Sequence, residues 1–301
     1  MKKLAFLLLF AVIAPASYAA AKINVVTTTT DLASLTREVG GDRVEVTALA
    51  KGYQDPHFVD PKPSYLTLLR NADLIEVVGL ELEIGWLPPL LDQSRNPKIR
   101  PGSAGYLDAS QGVEILDRPA GAVNRSMGDV HPNGNPHYWL EPGNAIRIAI
   151  QISQRLSKLR PADAPYFAAR LQDFKVRMND ANKRWSAALA PYRGAKIVTY
   201  HRSWPNFVRR YGLNVINYVE PKPGIPPSPS HTFELINQMK REKVKVILVE
   251  PFFDLKTPNS IAERTGAKVL VMYPSVGGKP ELEDYFKLFD RNVAELVKAL
   301  R

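Results

Sequence analysis

Short apolar runs alternate along this chain with stretches whose apolar residues recur every three or four positions. Ile23-Asn24-Val25-Val26 reads as a buried strand, and Leu32–Val39 as a helix capped by Asp31 and ended by Gly40-Gly41. Val44–Leu49 alternates and then turns apolar, as a strand does. Ser64 is placed to cap a helix through Arg70, and Leu74–Val78 reads as a further strand. The second half repeats this rhythm. Strands are expected at Lys196–Tyr200, Val215–Tyr218, Val244–Val249 and Lys268–Met272, and helices at Trp204–Tyr211, His231–Glu242, Asn259–Thr265 and Leu282–Leu300. Largely apolar strands alternating with helices indicate parallel sheets wrapped by helices.

The middle is different. Asn144–Leu159 and Ala162–Leu189 are helical in pattern, separated by Pro161, with Tyr166, Leu171, Phe174, Met178 and Trp185 recurring at spacings of three to five. A helix of about 27 residues reaches roughly 40 Å, long enough to act as a strut between two domains. The expected fold is therefore α/β, with two similar lobes joined by a long rigid backbone helix. Residues 21–160 form the first lobe, 161–192 the link and 193–301 the second lobe. Such a strut implies small lobe adjustments rather than wide hinge closure. The proline-rich run Pro221–Pro229 reads as a stiff connecting loop.

Composition narrows the function classes. With 301 residues, 45% hydrophobic and 23% charged, the chain has the make-up of a globular protein of about two domains. Residues 1–20 read as a cleavable signal peptide: Lys2 and Lys3, the apolar run Leu4–Ala14, then Ser17-Tyr18-Ala19. That points to the periplasm. No cysteine is present, which removes disulfides, thiolate-bound zinc, iron–sulfur clusters, thiol nucleophiles and a lipidated cysteine. The net charge of +10 comes from scattered basic residues rather than a stripe interleaved with aromatics, so no nucleic-acid partner is expected. The expected state is a monomer.

Five histidines make each position informative. His57 lies in Asp55-Pro56-His57 after the strand ending near Leu49, His137 in Asn135-Pro136-His137 before a helix, and His201 directly after a strand. Ligands in open α/β sheets gather at the carboxyl ends of strands, which would bring these three together between the lobes. Imidazole suits zinc. A single strand-end histidine is ordinarily a hydrogen-bonded or surface residue, and the spacing matches no local zinc motif.

Longer motifs carry a resemblance. Asp55-Pro56-His57-Phe58-Val59-Asp60-Pro61-Lys62-Pro63-Ser64 resembles the DPHxYEPxPSD segment of the metal-binding proteins of zinc and manganese ABC importers. The runs Ala72–Glu83, Asn135–Pro142 (similar to DPHxWLDP) and Tyr200–Trp204 with Arg210–Leu213 (similar to YHxAF…RYGL) follow in order over nearly the whole chain. The resemblance implies two α/β lobes on a rigid backbone helix, one metal in the cleft, and a membrane permease as partner. It assigns His57, His137 and His201 as the first three ligands, with histidine at the third position resembling the zinc branch. It implies capture of Zn2+ for import rather than catalysis. A manganese or iron cargo and a zinc-dependent hydrolase are the alternatives.

The fourth ligand departs from the pattern. Those proteins usually carry an aspartate in the loop before the last helix, and the matching position here is Pro274, which cannot ligate. Glu250, at the end of a strand, is the favoured replacement; Asp254 and a water are the others. His131, six residues before His137, either hands metal to the site or is a solvated loop residue. His231 is assigned only to a helix start.

Overall fold

In the computed structural model, which describes residues 21–124 and 127–301, each half of the chain builds one parallel four-stranded sheet. The signal-peptide expectation falls on residues outside those described. The first sheet contains β1 (Ile23–Thr27), β2 (Val44–Ala48), β3 (Leu74–Val77) and β4 (Tyr106–Asp108), in the order β2-β1-β3-β4. The second contains β5 (Lys196–Thr199), β6 (Asn214–Tyr218), β7 (Val246–Val249) and β8 (Lys268–Val271), in the matching order β6-β5-β7-β8. In both, the chain leaves the first strand toward one edge and returns to pair its other side, and this reversal opens a crevice at the carboxyl ends.

The first lobe adds helices α1 (Thr30–Gly40), α2 (Pro63–Arg70) and α3 (Leu87–Ser94). Two long helices follow, α4 (Pro142–Leu159) and α5 (Ala164–Leu189). The second lobe carries α6 (Pro205–Tyr211), α7 (Pro229–Glu242), α8 (Lys256–Thr265) and α9 (Tyr285–Leu300). Helix α1 is capped by Thr29, whose hydroxyl accepts from Leu32 N, rather than by Asp31. Helix α3 and strand β4 were not legible: α3 starts on Leu87-Pro88-Pro89, where prolines fit only because the first turn needs no donor, and β4 is three residues long. Among the described residues no helix is long and apolar enough to cross a membrane.

Both sheets are buried on both faces. One continuous apolar cluster joins Val25 and Leu35 of the first lobe, Phe174 and Met178 of α5, and Leu248 and Phe289 of the second. The outer faces have separate cores: Leu69, Ile75 and Leu90 in the first lobe, and Leu235, Ile247 and Ile261 in the second. Helix α5 has 26 residues, about 39 Å at 1.5 Å per residue. It packs on α1, α4 and α9, so it touches both lobes, and Trp185 Nε1 donates to Asp290 Oδ1 at 2.7 Å.

Loops also staple the lobes around the crevice. Asp31 Oδ1 accepts from Val276 N at 3.0 Å, Thr30 Oγ1 donates to Val276 O at 2.6 Å, and Tyr285 N donates to Ser34 Oγ at 3.1 Å. Burial pushes the Asp31 carboxyl up to about 7. Trp139 Nε1 donates to Pro274 O at 2.9 Å, and Tyr285 Oη to Trp139 O. Gly52 presses on the same loop: a Cβ there would lie 2.0 Å from Val276 O and 2.4 Å from Gly277 C. Both neighbours are backbone and cannot step aside alone.

Two predictions follow from this packing. Gly52→Ala forces the two loops apart and is expected to destabilise the chain by about 1–3 kcal/mol, the usual cost of overpacking, read as a fall in thermal midpoint. Glu76, on β3, is fully buried, accepts from Thr36 Oγ1 at 2.6 Å, and has Oε1 without a partner. Burial pushes its carboxyl up to about 8 from 4.5. The folded state thus keeps a proton that the unfolded chain releases, and stability falls as pH rises from the unfolded value through about 8. Between pH 6 and 8 the wild type is expected to lose about 2 kcal/mol more than Glu76→Gln in denaturant titrations.

Candidate metal centre

His57, His137 and His201 converge in the crevice between the sheets. Their ligating atoms lie within 4.8 Å of one another, the one such group of histidine, aspartate or glutamate side chains among the described residues. Ring centroids are separated by 5.2 Å (His57–His137), 5.6 Å (His57–His201) and 5.4 Å (His137–His201). His201 directly follows β5, and His57 sits on the loop after β2. His137 ends an irregular segment before α4. The carboxyl ends of two sheets therefore supply two of the three, and the irregular segment between β4 and α4 supplies the third.

The chain fixes each ring by its Nδ1 edge. Asp55 Oδ1 accepts from His57 N at 3.0 Å and contacts His57 Nδ1 at 2.6 Å. Asn135 Oδ1 repeats the device, accepting from His137 N at 2.9 Å with His137 Nδ1 at 3.0 Å. In each Asx-Pro-His run one side-chain oxygen both closes a local turn and holds a ring two residues on. Glu220 Oε1 hydrogen-bonds His201 Nδ1, and Thr199 Oγ1 donates to His201 O at 2.7 Å. Acceptors of this kind fix tautomer and orientation in metal-binding histidines. They leave the three Nε2 atoms facing inward. Asp55, Asn135 and Glu220 were not singled out from sequence; the repeated Asx-Pro-His was the signal for two of them, whereas Glu220 lies 19 residues from its partner.

Electrostatics acts in opposite directions on His137 and His201. His137 is held well below the ordinary histidine range by burial and then by the neighbouring His57 and His201. For His201, burial alone would lower the value, but the Glu220 carboxylate, with Glu250 and Asp55 beyond it, more than offsets that and holds it raised. Asp55 is lowered because its bond to His57 outweighs its own burial.

Glu250, expected as the fourth ligand, does not join the three histidines. Its Oε1 accepts from Trp204 Nε1 at 2.9 Å, and the group stands outside the set of ligating atoms within 4.8 Å of one another. It is fully buried, Oε2 has no hydrogen-bond partner, and burial pushes the group up to about 7. Asp254 is also elsewhere: it is exposed, and its Oδ1 accepts from Lys256 N at 2.6 Å at the start of α8. Pro274 offers only its carbonyl, already taken by Trp139. His231 contacts Tyr218 O at 3.0 Å in the second lobe, and Ser228 rather than His231 caps α7.

His131 is not a solvated loop residue. Its Nε2 lies 3.2 Å from His57 Nε2, the ring centroids are 5.2 Å apart, and the ring also hydrogen-bonds the Leu80 backbone. Burial, then the neighbouring His57 and His201, push it down to about 4. Leu80 itself sits in a turn of three consecutive left-handed residues, Gly79 (φ 77°), Leu80 (φ 54°) and Glu81 (φ 67°). Two of these carry side chains, at a cost of about 1–3 kcal/mol each. The buried Glu83 carboxylate holds the turn, accepting from Thr28 Oγ1 at 2.6 Å, Val78 N at 2.7 Å and Gly79 N at 3.1 Å.

Comparison with known proteins identifies the family of the chain. Over residues 25–299 the chain matches the family described as ZnuA, zinc-uptake complex component A, periplasmic. It is 25% identical over 93% of its length to a metal ABC transporter substrate-binding lipoprotein of Lactococcus lactis subsp. lactis (strain IL1403), covering 88% of that protein. It is 23% identical to the high-affinity zinc uptake system protein ZnuA of Bacillus subtilis (strain 168), over 93% of this chain and 88% of that one. The crystal structure of a ZnuA protein superposes with a TM-score of 0.78 at 26% identity, over 93% of this chain and all of the other. The match runs through both lobes and the long helix, and the chain belongs to the ZnuA family of periplasmic zinc-uptake components.

Proposed function

We propose that this protein captures Zn2+ outside the cytoplasmic membrane, on His57, His137 and His201, and delivers it to the permease of an ABC-type importer. The observation that carries the reading is the trio of inward-facing Nε2 atoms within 4.8 Å of one another, each ring held from behind. Two nitrogens on one tetrahedral zinc lie about 3.3 Å apart for Zn–N of roughly 2.0–2.1 Å, so small ring movements would close the group on an ion. The chain belongs to a family of metal-binding components of transport systems, and its relatives are transport proteins rather than enzymes.

The choice of zinc over manganese rests on ligand chemistry. Imidazole suits zinc, whereas manganese favours carboxylate and other oxygen ligands, and no carboxylate among the described residues joins the trio. One relative is named for zinc and another only for metal. Residues 1–20 serve, in this reading, as the export signal.

The test is thermal unfolding of the chelator-stripped protein. A ligand that binds only the folded state adds about 2.7 kcal/mol at a hundredfold excess over Kd. Zinc is expected to raise the midpoint accordingly, and His201→Ala to abolish the rise. An equal rise with manganese would sink the zinc assignment, and no rise with either would sink the function. Separately, Glu220→Gln is expected to weaken zinc binding roughly 10–100-fold, as loss of a ring-orienting partner does. Glu250→Gln, by contrast, should leave the affinity unchanged; both are read by competition with a zinc-responsive chelator dye.

A further inference from the structure

We propose that His131 is the fourth ligand to the ion, taking the place of the carboxylate that Pro274 cannot supply; this rests on the reading of His57, His137 and His201 as a zinc site. His131 stands outside the group whose ligating atoms all lie within 4.8 Å of one another, but its Nε2 lies 3.2 Å from His57 Nε2, so a modest swing of its ring toward His137 and His201 would complete the set. That separation is close to the edge of a zinc tetrahedron, about 3.3 Å for Zn–N of roughly 2.0–2.1 Å. Without an ion, two imidazole nitrogens this close share one proton. An ion seated between them replaces that proton and uses both lone pairs.

The backbone that carries His131 is built to hold it there. Gly134 N donates to His131 O at 3.1 Å, closing a turn that runs straight into Asn135-Pro136-His137. Upstream, Asp129 N donates to Pro223 O at 2.8 Å, which ties the segment to the proline-rich loop of the opposite lobe. The approach is too close for side chains. A Cβ on Gly128 (φ 76°) would lie 2.2 Å from Pro223 O, and one on Gly224 (φ 73°) 2.3 Å from Asp129 Oδ2. The proline-rich loop is in turn fastened to a ligand, since Gly224 N donates to Glu220 Oε2 at 3.2 Å while Glu220 Oε1 holds His201. A closed circuit thus runs from His201 through Glu220, Gly224 and Asp129 to His131, and across to His57. The proline-rich run is the abutment for a strap over the crevice, not merely a connector. A small cavity of about 50 Å³ has His131, His137 and His201 in its lining, together with Asp129 and Pro223.

The competing fourth ligands each meet another group, Glu250 through Oε1 alone. Glu250 holds Trp204, Asp254 starts α8, and the Pro274 carbonyl takes the Trp139 indole. A site of four imidazoles differs in kind from one with a carboxylate. It is softer, and it selects zinc, copper, nickel or cobalt over manganese.

X-ray absorption on the zinc-loaded wild-type protein counts imidazoles directly and needs no variant; four are expected, and three in His131→Ala. Cobalt substitution gives a second readout, with the intense visible bands of a four-coordinate ion in the wild type and weaker bands in His131→Ala. Zinc affinity of His131→Ala is expected to fall roughly tenfold or more, at least as far as for loss of a ring-orienting partner, with His57→Ala as the control that disables the site. Three imidazoles in the wild type, with affinity and cobalt spectrum unmoved in His131→Ala while His57→Ala fails to bind, would overturn the proposal and leave the zinc-capture reading standing. Wild-type protein that binds no zinc would overturn both.

Discussion

A buried imidazole can offer a lone pair in one direction only if its other nitrogen is occupied. Every part of this crevice answers to that constraint. Asp55, Asn135 and Glu220 hold the Nδ1 edges of His57, His137 and His201, and the Leu80 backbone takes the ring of His131. None of these holders is a bystander in the fold. Asp55 and Asn135 shape the turns that introduce their histidines, Glu220 secures the proline-rich loop, and Leu80 is offered by a strained turn that Glu83 pins with three accepted bonds. Ring orientation is thereby bound to backbone conformation. It is not left to side-chain rotamers.

The lobes are held in fixed relation by a core they share. The apolar cluster through α5 includes residues of both sheets, and the hydrogen bonds among Asp31, Ser34, Trp139, Tyr285 and the Pro274–Val276 loop close the crevice from its floor. Opening the two sheets like a clamshell would expose that core and break those bonds together. The loop that carries His57 packs instead in the first lobe's outer core, through Leu49, Ala50 and Val59.

Much of this was legible in the residues. The strands at Ile23, Val44, Leu74, Lys196, Val246 and Lys268 are short and mostly apolar, because both faces of a parallel sheet are covered, and that pattern survives without any alignment. The convergence of His57, His137 and His201 followed from strand ends and motif resemblance. Where Glu250 turns was not legible, because position at a strand end says where a side chain begins and not which way it points; its Oε1 meets the Trp204 indole. His131 was hidden for a related reason. Its approach to His57 depends on Gly134, Gly128 and the Pro223 carbonyl, contacts between irregular segments that carry no periodic signature. Helix α3 was masked by its own opening prolines.

Glu220 and Asp55 have one more consequence, in the charge of the loaded protein. Four neutral imidazoles around a dication leave two positive charges uncompensated in a crevice from which most water is excluded. The two carboxylates that hold ring nitrogens, Asp55 in the first lobe and Glu220 in the second, supply two negative charges without touching the ion. The loaded site is then close to electroneutral, with its counter-charge divided between the lobes. Once the ion departs, half-buried Asp55 and buried Glu220 keep their bonds to the rings of His57 and His201. The groups that balance a bound ion thus stay in place in the empty protein, one on each lobe, behind the rings that an arriving cation meets first.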